Sequence, residues 1–90
     1  MKTYSKRTWL NPITSPSTGS CVSYHGPANY CRGGRDTVEI ISFFEVSDCN
    51  GKVKVHRSDG DSLADFADKI RLLAEEAADF ADFIDSLRYD

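Results

Sequence analysis

From Ser62 to Arg88 the chain runs without a glycine or a proline, and its apolar residues recur at helical spacing. Leu63, Phe66, Ile70, Leu73, Ala77, Phe80, Ile84 and Leu87 step by 3, 4, 3, 4, 3, 4 and 3. That is an unbroken seam of a and d heptad positions. It predicts one long C-terminal helix over about residues 61–88. Ser62 is placed to cap the first turn, with Asp65 three residues on to complete a capping box. The phrase Ala-Asp-Phe-Ala-Asp occurs twice, starting at Ala64 and at Ala78, fourteen residues or two heptads apart. Both copies therefore present the same face.

Around the seam the chemistry divides. The e positions are Ala67, Ala74 and Ala81, small enough to let another backbone approach. The c and f positions hold Asp65, Asp68, Glu75, Asp79 and Asp82. The helix thus carries one wide apolar face and one acidic ridge. An amphipathic helix that packs on a sheet keeps such charges in water. A solvated face usually mixes signs for pairing at i,i+4, however, and here only Lys69, Arg71 and Arg88 oppose the acids. A same-sign stripe of carboxylates also suits docking on a basic surface, as a nucleic-acid mimic would.

The rest of the chain has the opposite charge. Residues 1–58 carry eight basic and four acidic side chains, and residues 59–90 carry three basic and ten acidic ones. The net charge of −3 conceals this split, which speaks to partners rather than fold. We expect one domain over residues 1–90, with a basic, turn-rich β part over 1–58 and the acidic helix over 59–90.

Strand signals fill the basic part. Thr3 to Leu10 and Ser20 to His25 read as short strands, and Gly26 to Asp36 reads as a loop around Gly26-Pro27 and Gly33-Gly34. Thr37 to Ser47 is rich in strand formers: Ile40, Ile41, Phe43, Phe44 and Val46. Asn50-Gly51 marks a hairpin turn, since both residues tolerate positive φ, and Lys52 to Arg57 returns. Pairing Ser47 with Lys52 sets Val46 opposite Val53, Glu45 opposite Lys54 and Phe44 opposite Val55. The expected fold is α+β: a small antiparallel sheet of three to four strands, with a hairpin over 37–57, packed on the helix.

Length supplies a further inference. A helix over 61–88 would run roughly 42 Å at 1.5 Å per residue, whereas four strands span about 19 Å. The overhang would carry Phe80, Phe83, Ile84 and Leu87. Apolar side chains of that size are seldom left wet, so a homodimer through these residues is expected.

Chemistry-bearing motifs are few. Cys21, His25, Cys31, Cys49 and His56 are metal-ligand types, but no Cys-x2-Cys pair exists and zinc is not expected. No Walker loop, nucleophile elbow or HExxH occurs, so neither an enzyme nor a cofactor is expected. An odd number of cysteines favours free thiols. No stretch of eighteen apolar residues suggests a membrane span, and the N-terminal residues lack the apolar core of a secretory signal. A cytoplasmic protein follows, in the host cell if a phage encodes it.

Three functions fit these features. The first is a small inhibitor or adaptor, of the kind phages carry, whose acidic ridge docks on a basic nucleic-acid-handling protein. The second is single-stranded nucleic-acid binding by Lys6, Arg7, Trp9, Tyr24, Arg32 and Arg35, because aromatic residues stack bases and basic ones neutralise phosphates. The third is a purely structural dimer.

Overall fold

Four strands and one helix follow in order along the computed structural model, which describes residues 2–16 and 18–87, with Arg32 described by its backbone alone. The strands are β1 (Tyr4–Trp9), β2 (Ser20–Arg32), β3 (Arg35–Asp48) and β4 (Gly51–His56), and the helix is α1 (Leu63–Leu87). The strands form one antiparallel sheet in the order β1-β2-β3-β4, a meander. The fold is α+β. The chain divides into two compact units, Met1–Arg57 and Ser58–Asp90, close to the point where its charge balance reverses.

The β3–β4 register follows from side-chain matching. Phe44 lies opposite Val55, Glu45 opposite Lys54, Val46 opposite Val53 and Ser47 opposite Lys52, as the charges and branched residues predict. The turn sits one residue earlier than the Asn50-Gly51 signal implies. Asp48 pairs with Gly51, leaving Cys49 and Asn50 as its central residues. No described residue other than glycine has positive φ. The Asn50 amide instead donates to Asp48 Oδ1 at 2.8 Å, an Asx turn.

The segment expected as a loop, Gly26 to Asp36, is strand and turn. β2 and β3 pair continuously from Ser20↔Ser47 to Arg32↔Arg35. Gly33 and Gly34, at φ 58° and 79°, make the two-residue reversal. Two successive positive φ values are what a type I′ turn needs, and its twist matches the flanking strands. Pro27 is tolerated because β1 pairs no further than His25. Beyond that point β2 is an edge, where a missing N–H costs no ladder bond. Residues 26–32 and 35–41 therefore form a two-stranded ribbon that extends past the four-stranded part.

The β unit packs thinly. Its buried side chains are Ser20 and Ser42, and no hydrophobic side chain among the described residues is buried. Ile41, Phe43, Phe44 and Val55 are half-buried.

In the second unit, the chain turns at Ser58–Asp61, where the Asp61 amide donates to the Ser58 carbonyl at 3.0 Å. The Ser58 amide donates back to Asp61 Oδ2, and Lys69 Nζ donates to the same oxygen, both at 3.3 Å. These bonds, the Ser58 backbone first and Lys69 second, hold the Asp61 carboxyl below its ordinary pKa. The expected capping box is present in full. Ser62 Oγ accepts from the Asp65 amide at 3.0 Å, and Asp65 Oδ2 accepts from the Ser62 amide at 3.2 Å.

Candidate functional site

Residues directly opposite in an antiparallel sheet share a face, and neighbours along a strand alternate. The three registers therefore assign every strand residue to a side. One side of the four-stranded part has three rows. They are Ser5, Tyr24, Phe43, His56; then Arg7, Val22, Glu45, Lys54; then Trp9, Ser20, Ser47, Lys52. The other side carries Tyr4, His25, Ser42; then Lys6, Ser23, Phe44, Val55; then Thr8, Cys21, Val46, Val53. The first side is basic and aromatic, and the second gathers the apolar side chains of β3 and β4.

Contacts fix the basic–aromatic side. Arg7 lies with its guanidinium carbon 5.5 Å from the centre of the Trp9 ring. Its Nη1 also donates to Ser20 Oγ at 3.1 Å, and Ser20 Oγ is 3.3 Å from Ser47 Oγ. Lys54 Nζ stands 4.3 Å from the centre of the Phe43 ring and 3.9 Å from Glu45 Oε2. Tyr24 stacks on Phe43 with centroids 5.5 Å apart and an interplanar angle of 24°. The Tyr24 hydroxyl donates to the Pro27 carbonyl at 2.6 Å. Gly26 makes room for this ring: a Cβ there would stand 3.0 Å from the Tyr24 hydroxyl oxygen and 3.2 Å from Cζ. Trp9 differs from Tyr24 and Phe43, which are half-buried, in being 65% exposed. Beside it the β1–β2 connection forms a cavity of about 390 Å³ lined by Trp9, Asn11, Pro12, Ile13, Ser15, Thr18 and Gly19.

Of the six nucleic-acid candidates, the structure brings together Arg7, Trp9 and Tyr24. Lys6 lies on the opposite side. Arg35, and Arg32 by its backbone position, flank the ribbon turn, eight residues along the strands from Phe43 and Tyr24, or about 26 Å. The side chain of Arg32 is outside the described residues. Phe43, Lys52 and Lys54 join the group although they are absent from the sequence-derived set. Their signal was the β3–β4 register, which sets Lys54 opposite Glu45 and, by alternation along β3, Phe43 on the same side.

The helix arranges its acids as the repeat implies. At 3.6 residues per turn Asp65, Asp68, Glu75, Asp79 and Asp82 fall within an arc of about 100°. They are not equivalent. Asp65 serves the capping box, and Asp68 Oδ1 accepts from Arg71 Nη1 at 3.2 Å. Glu75, Asp79 and Asp82 make no ion pair with another described residue. On the seam, Phe80 is 62% exposed, and Ile84 and Leu87 are exposed with it. Phe83 is exposed too, at the g position beside the seam.

Strand geometry separates the metal-ligand types. Cys21 and His25 share a face but stand four residues apart on β2, about 13 Å at roughly 3.3 Å per residue. His25 Nδ1 instead pairs with Ser42 Oγ. Cys31 lies on the ribbon, Cys49 at the β3–β4 turn, and all three cysteines are free thiols. Among the described residues no helix is long and apolar enough to cross a membrane. Comparison with known proteins brings no match: no family model, curated protein or solved structure aligns with the chain.

Proposed function

We propose that the protein is a non-enzymatic binding protein that holds single-stranded nucleic acid on the basic–aromatic side of its sheet. The observation that carries this reading is the register, which sets Arg7, Trp9, Tyr24, Phe43, Lys52 and Lys54 on three adjacent rows of one face. Trp9 is the exposed stacking platform. Arg7, two residues along β1, and Lys52 and Lys54, across the face on β4, meet phosphates, and the Tyr24–Phe43 stack extends the aromatic surface between them. Stacking and phosphate contacts do not read base edges, so binding through them is tolerant of sequence.

Trp9 is the single tryptophan of the chain, so its fluorescence reports stacking directly. Titration with a thymidine oligonucleotide at low salt should quench it. Affinity should fall with salt at a slope of about −2 for three phosphate contacts on a single strand. Trp9→Ala should cost about 1–3 kcal/mol of binding, the usual value of one stacked base. An oligonucleotide that leaves both fluorescence and anisotropy unchanged at low salt would refute the reading.

A second reading rests on Glu75, Asp79 and Asp82, exposed acids without ion pairs among the described residues. They suit docking on a basic protein, in the manner of a small inhibitor or adaptor. Changing all three to Gln or Asn should then abolish a salt-sensitive association with that partner while leaving oligonucleotide binding intact.

A further inference from the structure

The seam of α1 leaves Leu63, Leu73, Phe80, Ile84 and Leu87 exposed, while Phe66 and Ile70 between them are half-buried. We propose that this face is covered by α1 of a second copy of the chain, running antiparallel to the first. The spacing is self-complementary. Steps of 3, 4, 3, 4, 3, 4, 3 read the same from either end, as a two-fold antiparallel pair requires. Aligning the two helices about residue 75 sets Phe66 against Ile84 of the second copy, Ile70 against Phe80, and Leu73 against Ala77. Every layer is then apolar. The small Ala77 meets a leucine rather than another alanine, so no layer is left with a void at its centre. The alanines at the e positions let the two backbones close up on that flank.

Charge selects the direction. Glu75, Glu76, Asp79, Asp82 and Asp85 give the C-terminal half five acids, with no basic residue among its described positions. In the N-terminal half Lys69 and Arg71 balance Asp65 and Asp68, which leaves it neutral. A parallel pair would set the five-acid halves side by side. An antiparallel pair sets each against the neutral half of the second copy, which removes that repulsion, and it opposes the helix dipoles favourably.

A charge-swap experiment on the full chain tests both the pairing and its direction. In an antiparallel pair, a chain with Ile70→Asp and a chain with Phe80→Lys place the two new charges in one layer and keep the native pair in the other. In a parallel pair the charges never meet. Sedimentation equilibrium should find wild type dimeric at micromolar concentration. Each variant alone should dissociate, with Kd raised about a hundredfold or more by a buried lone charge, and the equal mixture should recover the dimer together with its helical circular dichroism. Recovery on mixing also shows that each chain was competent to fold. The pair Phe66→Asp and Ile84→Lys repeats the test in a second layer. A monomeric wild type would overturn the proposal, as would either variant staying dimeric alone. A dimeric wild type whose mixtures both fail to recover would overturn the antiparallel register. None of these outcomes depends on oligonucleotide binding, which Trp9 reports separately.

Discussion

The sheet and the helix satisfy their backbones in opposite ways. The β-ladders start at turns and run out to residues as far apart as Tyr4 with His25 and Ser20 with Ser47. The helix bonds each residue to its neighbour one turn away and closes its first turn with Ser62 and Asp65. The sheet thereby acquires two chemically distinct sides and shelters Ser20, Ser42 and the rings of Phe43 and Phe44. Among the described residues of the helix none is buried. Local hydrogen bonds are enough to shape a helix but seldom to stabilise it, since most helical stability in proteins comes from packing an apolar face. The contrast teaches where each unit is vulnerable: the sheet through its packed rings and turn, the helix through its cap and whatever covers its seam.

The largest effect expected within the sheet is that of Phe44→Ala. Phe44 is half-buried between Ser23 and Val55, so truncation should cost about 2–3 kcal/mol, below the full core value. Chemical denaturation followed by Trp9 fluorescence would measure it. A loss under 0.5 kcal/mol, roughly the surface range, would mean that the rings contribute little and that the ladders alone hold the sheet. Gly34→Val comes next, at about 1–2 kcal/mol, because a β-branched residue is strained at φ 79°. Gly34→Asn should be nearly neutral, and equal losses from both would show that the turn does not require left-handed backbone. Ser62→Ala removes a cap and should cost about 1 kcal/mol. It should lower the helical signal at 222 nm while leaving the sheet midpoint in place, and a shift of that midpoint would break the separation drawn between the units. The smallest effect belongs to Asp61. Its folded pKa is depressed by the Ser58 backbone bond and by Lys69, so its contribution is present above the ordinary aspartate pKa and disappears as pH falls through the lowered value. Carboxyl NMR titration should show the depression shrinking in Lys69→Met.

The helix was legible because one period governs it. The seam fixed its extent, and Ser62 with Asp65 fixed its start. The β3–β4 register was equally legible, since Glu45 with Lys54 and Val46 with Val53 leave little choice of pairing. The ribbon was not. Gly26-Pro27 and Gly33-Gly34 are loop signals in isolation, and only the short reach of β1 makes an edge where Pro27 fits a strand. The site was half legible. Arg7, Trp9 and Tyr24 were named from residue type, and so was Lys6, although alternation along β1 already sets it on the opposite side from Arg7. Lys52 was missed because its relation to Trp9 crosses all four strands and needs every register.

The meander also sets the order in which the β unit can assemble. No strand waits for a distant one, so loop-closure entropy is low at every step, and a chain of such local pairings is expected to fold quickly for a β structure. Two closures are equally short, the two-residue turns at Gly33-Gly34 and at Cys49-Asn50. Pairing can then run outward, rung by rung, through the ribbon from Arg32↔Arg35 towards Ser20↔Ser47. β4 can pair with β3 from its own turn without waiting for the ribbon. β1 reaches β2 through the longest connection, from Trp9 to Ser20, so its closure costs most, and Arg7 and Trp9 are expected to join the basic–aromatic rows after the two hairpins have formed.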